Sequence, residues 1–247
     1  MGKEFLDRNL ALEAVRVTEA AALSSALFMG RGDERAADQA AVNAMREFLN
    51  NLSIDGKVVI GEGERDKAPM LYIGEKVGRR GPKVDIALDP LEGTTITAQG
   101  GENALSVLAM AEEGGFLHSP DIYMHKIAFG KKYEELEIDP ESPANIIIEN
   151  LSKYSGIKVE NIVVCILNRP RHKELISLVR KTGARIKLIA DGDVSAVIAT
   201  TVEDSGVDLY SVREGIDTIS VTPDSLLKTL KIVKKVETDD VLIEKPS

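Results

Sequence analysis

The chain has 247 residues, of which 43% are hydrophobic and 29% charged, and its net charge is −9. This length suffices for one large or two small domains, and the negative charge argues against nucleic-acid binding, which needs clustered Lys and Arg. No apolar run approaches the ~18 residues of a membrane span, and the amino terminus lacks the apolar core of a signal peptide. The lone Cys165 excludes an intrachain disulfide framework and a cysteine-rich zinc site. We therefore expect a cytoplasmic protein that does not insert into a membrane.

The first part of the chain is predicted to alternate helices with short strands. Apolar residues at helical spacing predict helices at 4–29, 35–51 and 144–151. Asp33 is placed to cap the second of these helices. Apolar runs predict strands at 58–60, 84–89 and 103–111, and Pro90 is expected to stop the second strand. The segment 124–138 indicates a hairpin.

From about Ile162 onward the predicted strands and helices alternate regularly. Apolar runs at 162–167 and 185–190 predict buried strands, and helical patterns follow each of them at 171–182 and 194–201. Such alternation of strand and helix is typical of a parallel βαβ layer. The sequence therefore predicts an α/β protein with a second lobe in this region.

The hexapeptide Asp89-Pro-Leu-Glu92-Gly-Thr94 is the strongest chemical signal in the chain. The strand delivers Asp89 to its end, and Gly93 permits a tight turn that brings Glu92 and the Thr94 hydroxyl toward one point. Mg²⁺ and Mn²⁺ prefer carboxylate oxygens, often together with phosphate oxygens of a substrate. The alternative is an ordinary loop whose carboxylates cap a helix.

Further polar residues stand at other predicted element ends. Glu62 lies in Gly61-Glu-Gly-Glu64 after a strand, and Asp38 lies near the start of a helix. Asp191 and Asp193 follow a third strand. Several acidic strand ends in one chain favour a cation-dependent site at a sheet edge. The remaining candidates are Arg169 and Arg171, which suit a phosphate, and His118, His125 and His172, which we interpret as surface or loop residues.

Segments 60–64, 68–77, 85–94 and 120–124 resemble the class II fructose-1,6-bisphosphatases, and the similarity runs from about residue 8 to Tyr210. The Asp-Pro-acid-Gly-Thr element is also shared with lithium-sensitive phosphatases such as the inositol monophosphatases. The resemblance implies a layered α-β-α sugar-phosphatase fold. It also implies hydrolysis of the 1-phosphate of fructose 1,6-bisphosphate, a step of gluconeogenesis.

The resemblance further implies roles for particular residues. Asp38 and Glu62 would hold one Mn²⁺ or Mg²⁺ ion, Asp89 and Glu92 would hold a second, and Thr94 would orient the attacking water. Catalysis would thus rest on Thr94, Asp89 and Glu62. The substrate-binding residues it implies are Glu92, Gly93, Thr94, Tyr123, Arg169, Arg171, Asp191 and Asp193. The family also implies association of identical chains.

The resemblance ends after Tyr210, where Ser211-Val-Arg-Glu-Gly215 replaces the family's glycine-rich loop and its carboxylate. No role is transferred to Glu214. Residues 213–229 resemble instead the carboxy-terminal end of phosphoenolpyruvate synthases, with a predicted strand at 218–221 followed by a helix. Glu34 is a second departure, since many relatives have a lysine there.

We therefore expect a carboxy-terminally truncated sugar-phosphatase fold in three parts. These are a metal- and phosphate-binding lobe at 1–158, a partial second lobe at 159–210 and an atypical tail at 211–247. Three alternatives to the fructose bisphosphatase stay open. They are action on sedoheptulose 1,7-bisphosphate, a broader inositol-type phosphatase, and an impaired homologue that binds metal or sugar phosphate without turnover.

Overall fold

The computed structural model describes residues 3–62, 71–116, 125–139 and 141–212, with side chains described from Leu10 onward. Contacts between residues divide this part of the chain into two compact units, with the boundary between Pro120 and Asp121. Residues 125–158 therefore pack within the second unit. The three predicted domains stay a prediction, because the third of them, from residue 213 on, lies outside the described residues.

The first unit is a mixed sheet with helices. Its strands are β1 (Asp55–Ile60), β2 (Lys76–Val77), β3 (Lys83–Glu92) and β4 (Leu105–Glu112), in the order β2-β1-β3-β4. β1 and β3 are parallel, whereas β2 and β4 run antiparallel to their neighbours. The helices are α1 (Lys3–Ala26), α2 (Glu34–Asn51) and α3 (Thr94–Gln99).

Helix α2 covers the sheet of the first unit because its apolar residues recur at helical spacing. The buried residues of this helix are Ala37, Ala41, Val42, Met45 and Leu49. They belong to one core with the strand residues Val58 and Ile86. Asp33 caps the helix as predicted, since its side chain accepts a hydrogen bond from the Ala36 amide at 2.9 Å.

Two details of the first unit differ from the sequence prediction. β3 does not stop at Pro90 but continues to Glu92, and a register shift between Asp89 and Glu92 absorbs the irregularity. Proline lacks the amide that a regular ladder would use, and a bulge removes that need. Several of the apolar residues whose helical spacing predicted α1 are exposed, among them Leu12 and Leu23.

The second unit contains β5 (Lys126–Phe129), β6 (Val163–Leu167), β7 (Arg185–Ile189) and β8 (Leu209–Val212), in the order β5-β8-β6-β7. Its helices are α4 (Ala144–Ser155), α5 (Lys173–Thr182) and α6 (Asp193–Thr201). β6 and β7 pair in parallel, and α5 connects them along the chain, which confirms the predicted βαβ layer. The α/β class is thereby confirmed.

The hairpin predicted at 124–138 is wrong. β5 pairs with β8 from a distant part of the chain, and after Gly130 the backbone enters a short 3₁₀-helix, Lys131–Tyr133. The alternation of Lys126-Ile-Ala-Phe129 fits a strand, but local alternation does not determine which strand is its partner. None of the helices in the described ranges is both long enough and apolar enough to cross a membrane.

Candidate active site

Acidic residues follow the two parallel strands of the first unit where those strands end. Glu62 comes two residues after β1, and Asp89 and Glu92 lie in the last four residues of β3. Because β1 and β3 are parallel, these residues share one edge of the sheet. The backbone there is tied down, since the Glu62 amide donates to Leu71 O at 3.0 Å and the Leu91 amide donates to Asp89 Oδ1 at 3.0 Å.

Asp38 of α2 acts electrostatically on Glu62. Burial raises the pKa of Asp38. Burial also raises the pKa of Glu62 to about 8, and the negative charges of Asp38 and Asp89 raise it as well, while the nearby Arg46 acts in the opposite direction. Asp38 and Asp89 therefore both act on Glu62, and we call these three residues, which sequence reasoning singled out, the carboxylate cluster.

The chemistry of the carboxylate cluster fits a hard divalent cation. Glu62 Oε2 is buried and has no hydrogen-bond partner in the described part of the chain. A buried carboxylate oxygen in that condition is costly, and a cation that prefers oxygen ligands would offset the cost. No three His, Cys, Asp or Glu side chains within the described ranges are placed so that they could hold an ion on their own. The predicted ligand pairs, Asp38 with Glu62 and Asp89 with Glu92, therefore stay a prediction.

Gly93 and Thr94 form the turn that leaves β3. Gly93 is buried and has a φ of 102°, in the left-handed region that favours glycine. α3 begins at Thr94, and its first turn is closed by the Thr97 amide and hydroxyl, which donate to Gly93 O at 3.0 and 3.2 Å. A glycine directly before Thr94 is therefore favoured, because the chain passes from β3 into α3 within one residue.

Arg46 is a residue of this region to which the sequence analysis gave no role. Its guanidinium donates twice to the Glu75 carboxylate, at 2.7 and 3.2 Å. Arg46 lies two helical turns after Asp38. Glu75 lies four residues after Leu71, whose carbonyl oxygen accepts a hydrogen bond from the Glu62 amide. The ion pair thus ties the helix that carries Asp38 to the segment that holds Glu62. A signal for it in the sequence is the eight-residue spacing, which places Asp38 and Arg46 near one face of α2.

The second unit gathers its predicted site residues at one sheet edge. Arg169 and Arg171 follow β6, and Asp191 and Asp193 follow β7, which is parallel to it. Arg169 Nη2 lies 3.9 Å from Asp191 Oδ1. Asp193 opens α6 after Gly192, which has a φ of 93°, and its Oδ2 lies 3.8 Å from Lys126 Nζ. Tyr123 lies outside the described residues.

The histidine interpretation is wrong for His172. This side chain is fully buried, and its Nδ1 lies 2.9 Å from Leu167 O at the end of β6. It anchors the Arg169–Arg171 turn to the strand. His125 lies 3.3 Å from Glu141 Oε1, and His118 lies outside the described residues.

The predicted junction at Tyr210 falls inside β8. Ser211 and Val212 are buried and pair with β5. The strand and helix predicted beyond residue 213, with Glu214, lie outside the described residues.

Mixed sheets with helices, and acidic residues where parallel strands end, define an α/β protein of the sugar-phosphatase fold class. The chain belongs to the family described as bacterial fructose-1,6-bisphosphatase, glpX-encoded, which it matches over residues 8–216. This confirms the predicted family. The match also extends six residues past the predicted end of similarity at Tyr210.

Individual relatives of the chain carry the name of the same family. The chain is 50% identical over 207 residues to fructose-1,6-bisphosphatase 1 class 2 of Escherichia coli (strain K12). The same identity relates it to the fructose-1,6-bisphosphatase class 2 of Escherichia coli O6:H1 and that of Shigella flexneri. These matches cover 83% of this chain and 61% of each relative.

Proposed function

We propose that the chain hydrolyses the 1-phosphate of fructose 1,6-bisphosphate, yielding fructose 6-phosphate and inorganic phosphate in gluconeogenesis. The observation that carries the proposal is the 50% identity to an Escherichia coli protein of that name over 207 residues. Every predicted site residue lies within the family match at 8–216. Glu62 Oε2, which is buried and has no hydrogen-bond partner among the described residues, supports the same proposal, because it belongs to a donor set suited to a divalent cation.

In the proposed reaction, Asp38 and Glu62 would hold one divalent ion, Mn²⁺ or Mg²⁺, and Asp89 and Glu92 a second. Bound ions of this kind neutralise charge on the phosphoryl group and make hydroxide available near neutral pH. Thr94, at the first position of α3, would orient the attacking water through its hydroxyl. Gly93 would let the substrate approach the backbone closely.

The remaining residues are proposed to bind the sugar bisphosphate. Arg169 and Arg171 would bind the phosphate that is not cleaved, because guanidinium groups donate paired hydrogen bonds to phosphate oxygens. Asp191 and Asp193 would accept hydrogen bonds from sugar hydroxyls. Tyr123 would contribute a further contact through its phenol.

The test is phosphate release from fructose 1,6-bisphosphate in the presence of Mn²⁺ or Mg²⁺, compared between the natural chain and Asp89→Asn. We expect the substitution to lower the rate by at least ~10²-fold, because it removes a carboxylate that acts in the transition state. Glu47→Gln is a matched control, since Glu47 is an exposed carboxylate on α2. Equal rates for Asp89→Asn and the natural chain would contradict the proposal.

The same assay separates the alternatives. Sedoheptulose 1,7-bisphosphate and inositol monophosphate, used as parallel substrates, test a broader phosphatase. Binding of Mn²⁺ or fructose 1,6-bisphosphate by calorimetry without phosphate release would favour the impaired homologue. The departure at Ser211-Val-Arg-Glu-Gly215 motivates that alternative.

We also propose that identical chains associate. Support comes from α1, where the large apolar residues Leu12 and Leu23 are 67 and 72% exposed, and from Leu27 directly after the helix, which is 67% exposed. Exposed apolar residues of this kind are typical of contact surfaces. A cytoplasmic location is proposed because Cys165 is a lone, buried thiol. Sedimentation of the natural chain beside Leu23→Gln tests the association, which the substitution should weaken.

The resemblance of residues 213–229 to phosphoenolpyruvate synthases is likewise kept as a proposal about origin. It rests on sequence similarity alone. Resequencing the gene across codons 205–215 tests it, and a frame that restores the family's glycine-rich loop would contradict it.

A further inference from the structure

A pocket of about 420 Å³ lies in the first unit at the sheet edge opposite the carboxylate cluster. It is lined by Ile54 and Asp55 at the start of β1 and by the continuous segment Lys76–Gly81. Since β1 and β3 are parallel, their starts lie one strand length, roughly 20 Å, from the edge that holds Glu62 and Asp89. The volume falls in the range of small-molecule sites, about 300–1,000 Å³.

The lining of this pocket is basic in a chain whose net charge is −9. Lys76, Arg79 and Arg80 line it, and among the lining residues that the structure describes Asp55 alone is acidic. Arg79 donates to the neutral Asn51 Oδ1 at 2.6 Å. Lys76 and Arg80 form no ion pair with any described residue. The positive charge of the pocket is therefore largely uncompensated within the described chain.

Strand pairing adds a further cation beside the pocket. Lys57 of β1 is the direct antiparallel partner of Lys76 in β2, and both side chains are exposed. Like charges directly opposite on neighbouring strands repel each other. On its other side Lys57 has Asp85 of β3 as its register partner, a buried carboxylate that already accepts the Gly114 amide at 2.7 Å. A bound anion would relieve the repulsion on the β2 side.

The backbone that presents these cations is held in place. The Arg79 amide donates to Leu52 O at 3.0 Å, and the Asp55 amide donates to Pro82 O at 2.9 Å. Gly78 and Gly81 pack so closely on the carbonyl oxygens of Ile54 and Ser53 that a Cβ at either position would clash. The segment is therefore preorganised, which lowers the entropic cost of binding a ligand.

We propose that this basic pocket binds a small multivalent anion of the phosphate or phosphate-ester class. Arg79 and Arg80 supply guanidinium groups that match phosphate oxygens, and Lys76 supplies a compact positive charge. The site is separate from the carboxylate cluster. The inference does not depend on the proposed hydrolysis.

The experiment is a residue-resolved NMR titration of the full, deuterated and ¹⁵N-labelled chain with inorganic phosphate and, separately, pyrophosphate. Backbone amides of 76–81 are expected to shift saturably. Pyrophosphate should reach half-saturation at a concentration at least ~3-fold lower than phosphate, because it carries more charge. The double variant Lys76→Gln/Arg80→Gln should weaken binding at least ~10-fold.

The control variant is Lys153→Gln/Arg185→Gln, which removes the same charge from exposed positions of the second unit and should leave the titration unchanged. Thermal melting tests whether each variant folds. If the double variant does not fold, the single variant Arg80→Gln replaces it in the titration. An equal response to NaCl at matched ionic strength would overturn the proposal. So would undiminished shifts at 76–81 in the double variant, or shifts confined to residues 93–94.

Discussion

Gly93 is the residue on which the turn between β3 and α3 depends. Its φ of 102° lies where residues with a side chain are strained. A Cβ there would lie 3.1 Å from Ile96 Cδ1 and 3.3 Å from Ala104 Cα. Backbone conformation and packing therefore both require glycine at this position.

At the residue scale we predict that Gly93→Ala lowers the free energy of unfolding by about 2–3 kcal/mol, through left-handed strain and crowding. Gly183→Ala is the matched control. Gly183 also has a positive φ, 87°, but a Cβ there meets nothing within 4 Å, so its cost should be nearer ~1 kcal/mol. Urea unfolding measures both, and equal costs would contradict the packing argument.

At the scale of elements, the Arg46–Glu75 pair joins α2 to the turn before β2. The two side chains are only 24 and 13% exposed, and Glu75 also accepts the Tyr72 amide at 3.3 Å. Water screens an ion pair of this kind only a little. The Lys83–Glu113 pair differs, because its side chains are 64 and 63% exposed. The two pairs form a comparison within one unit.

We predict that Glu75→Gln lowers the free energy of unfolding by about 1–3 kcal/mol, because it removes the counter-charge that accepts two hydrogen bonds from the partly buried Arg46. Glu113→Gln should change it by less than ~0.5 kcal/mol. Urea unfolding of the two variants at equal ionic strength measures the difference. If Glu113→Gln costs as much as Glu75→Gln, burial is not what makes the first pair stabilising.

At the scale of the whole molecule, the two units carry different chemistry and can be followed separately. Cys165 is the only cysteine of the chain, and it lies 1% exposed in β6, the strand that pairs with both β7 and β8. Burial raises the pKa of its thiol to about 11. Its reactivity therefore reports on opening of the second unit.

We predict that iodoacetamide alkylates Cys165 in the folded chain at least ~10²-fold more slowly than in the urea-unfolded chain at pH 8, because the thiol is buried and protonated. The folded thiol keeps its proton between pH 9 and 11, where the unfolded thiol has lost it. This group therefore lowers stability as the pH rises through that window. Labelling as fast as in the unfolded chain would contradict the placement of Cys165.

Local signals in the sequence predicted most of the elements and much of the candidate site. The Asp33 cap and the β6–α5–β7 layer follow from short-range patterns, and both are confirmed. The acidic residues at strand ends were found because parallel strands bring their carboxyl ends to one edge. Long-range relations were missed. Alternation along β5 could not reveal β8 as its partner, and the polarity of His172 gave no sign of its full burial.

By itself, the sequence determined the family of this protein, its α/β class and the residue types available for chemistry. Periodicity and turn residues act over a few positions, so they can be read along the chain. The tertiary structure alone decided which groups influence one another. It brought Asp38 and Asp89 within electrostatic reach of Glu62, joined Arg46 to Glu75, and collected Lys76, Arg79 and Arg80 around one pocket. The physical reason is that charge and burial depend on distance in space, which helix and strand packing sets.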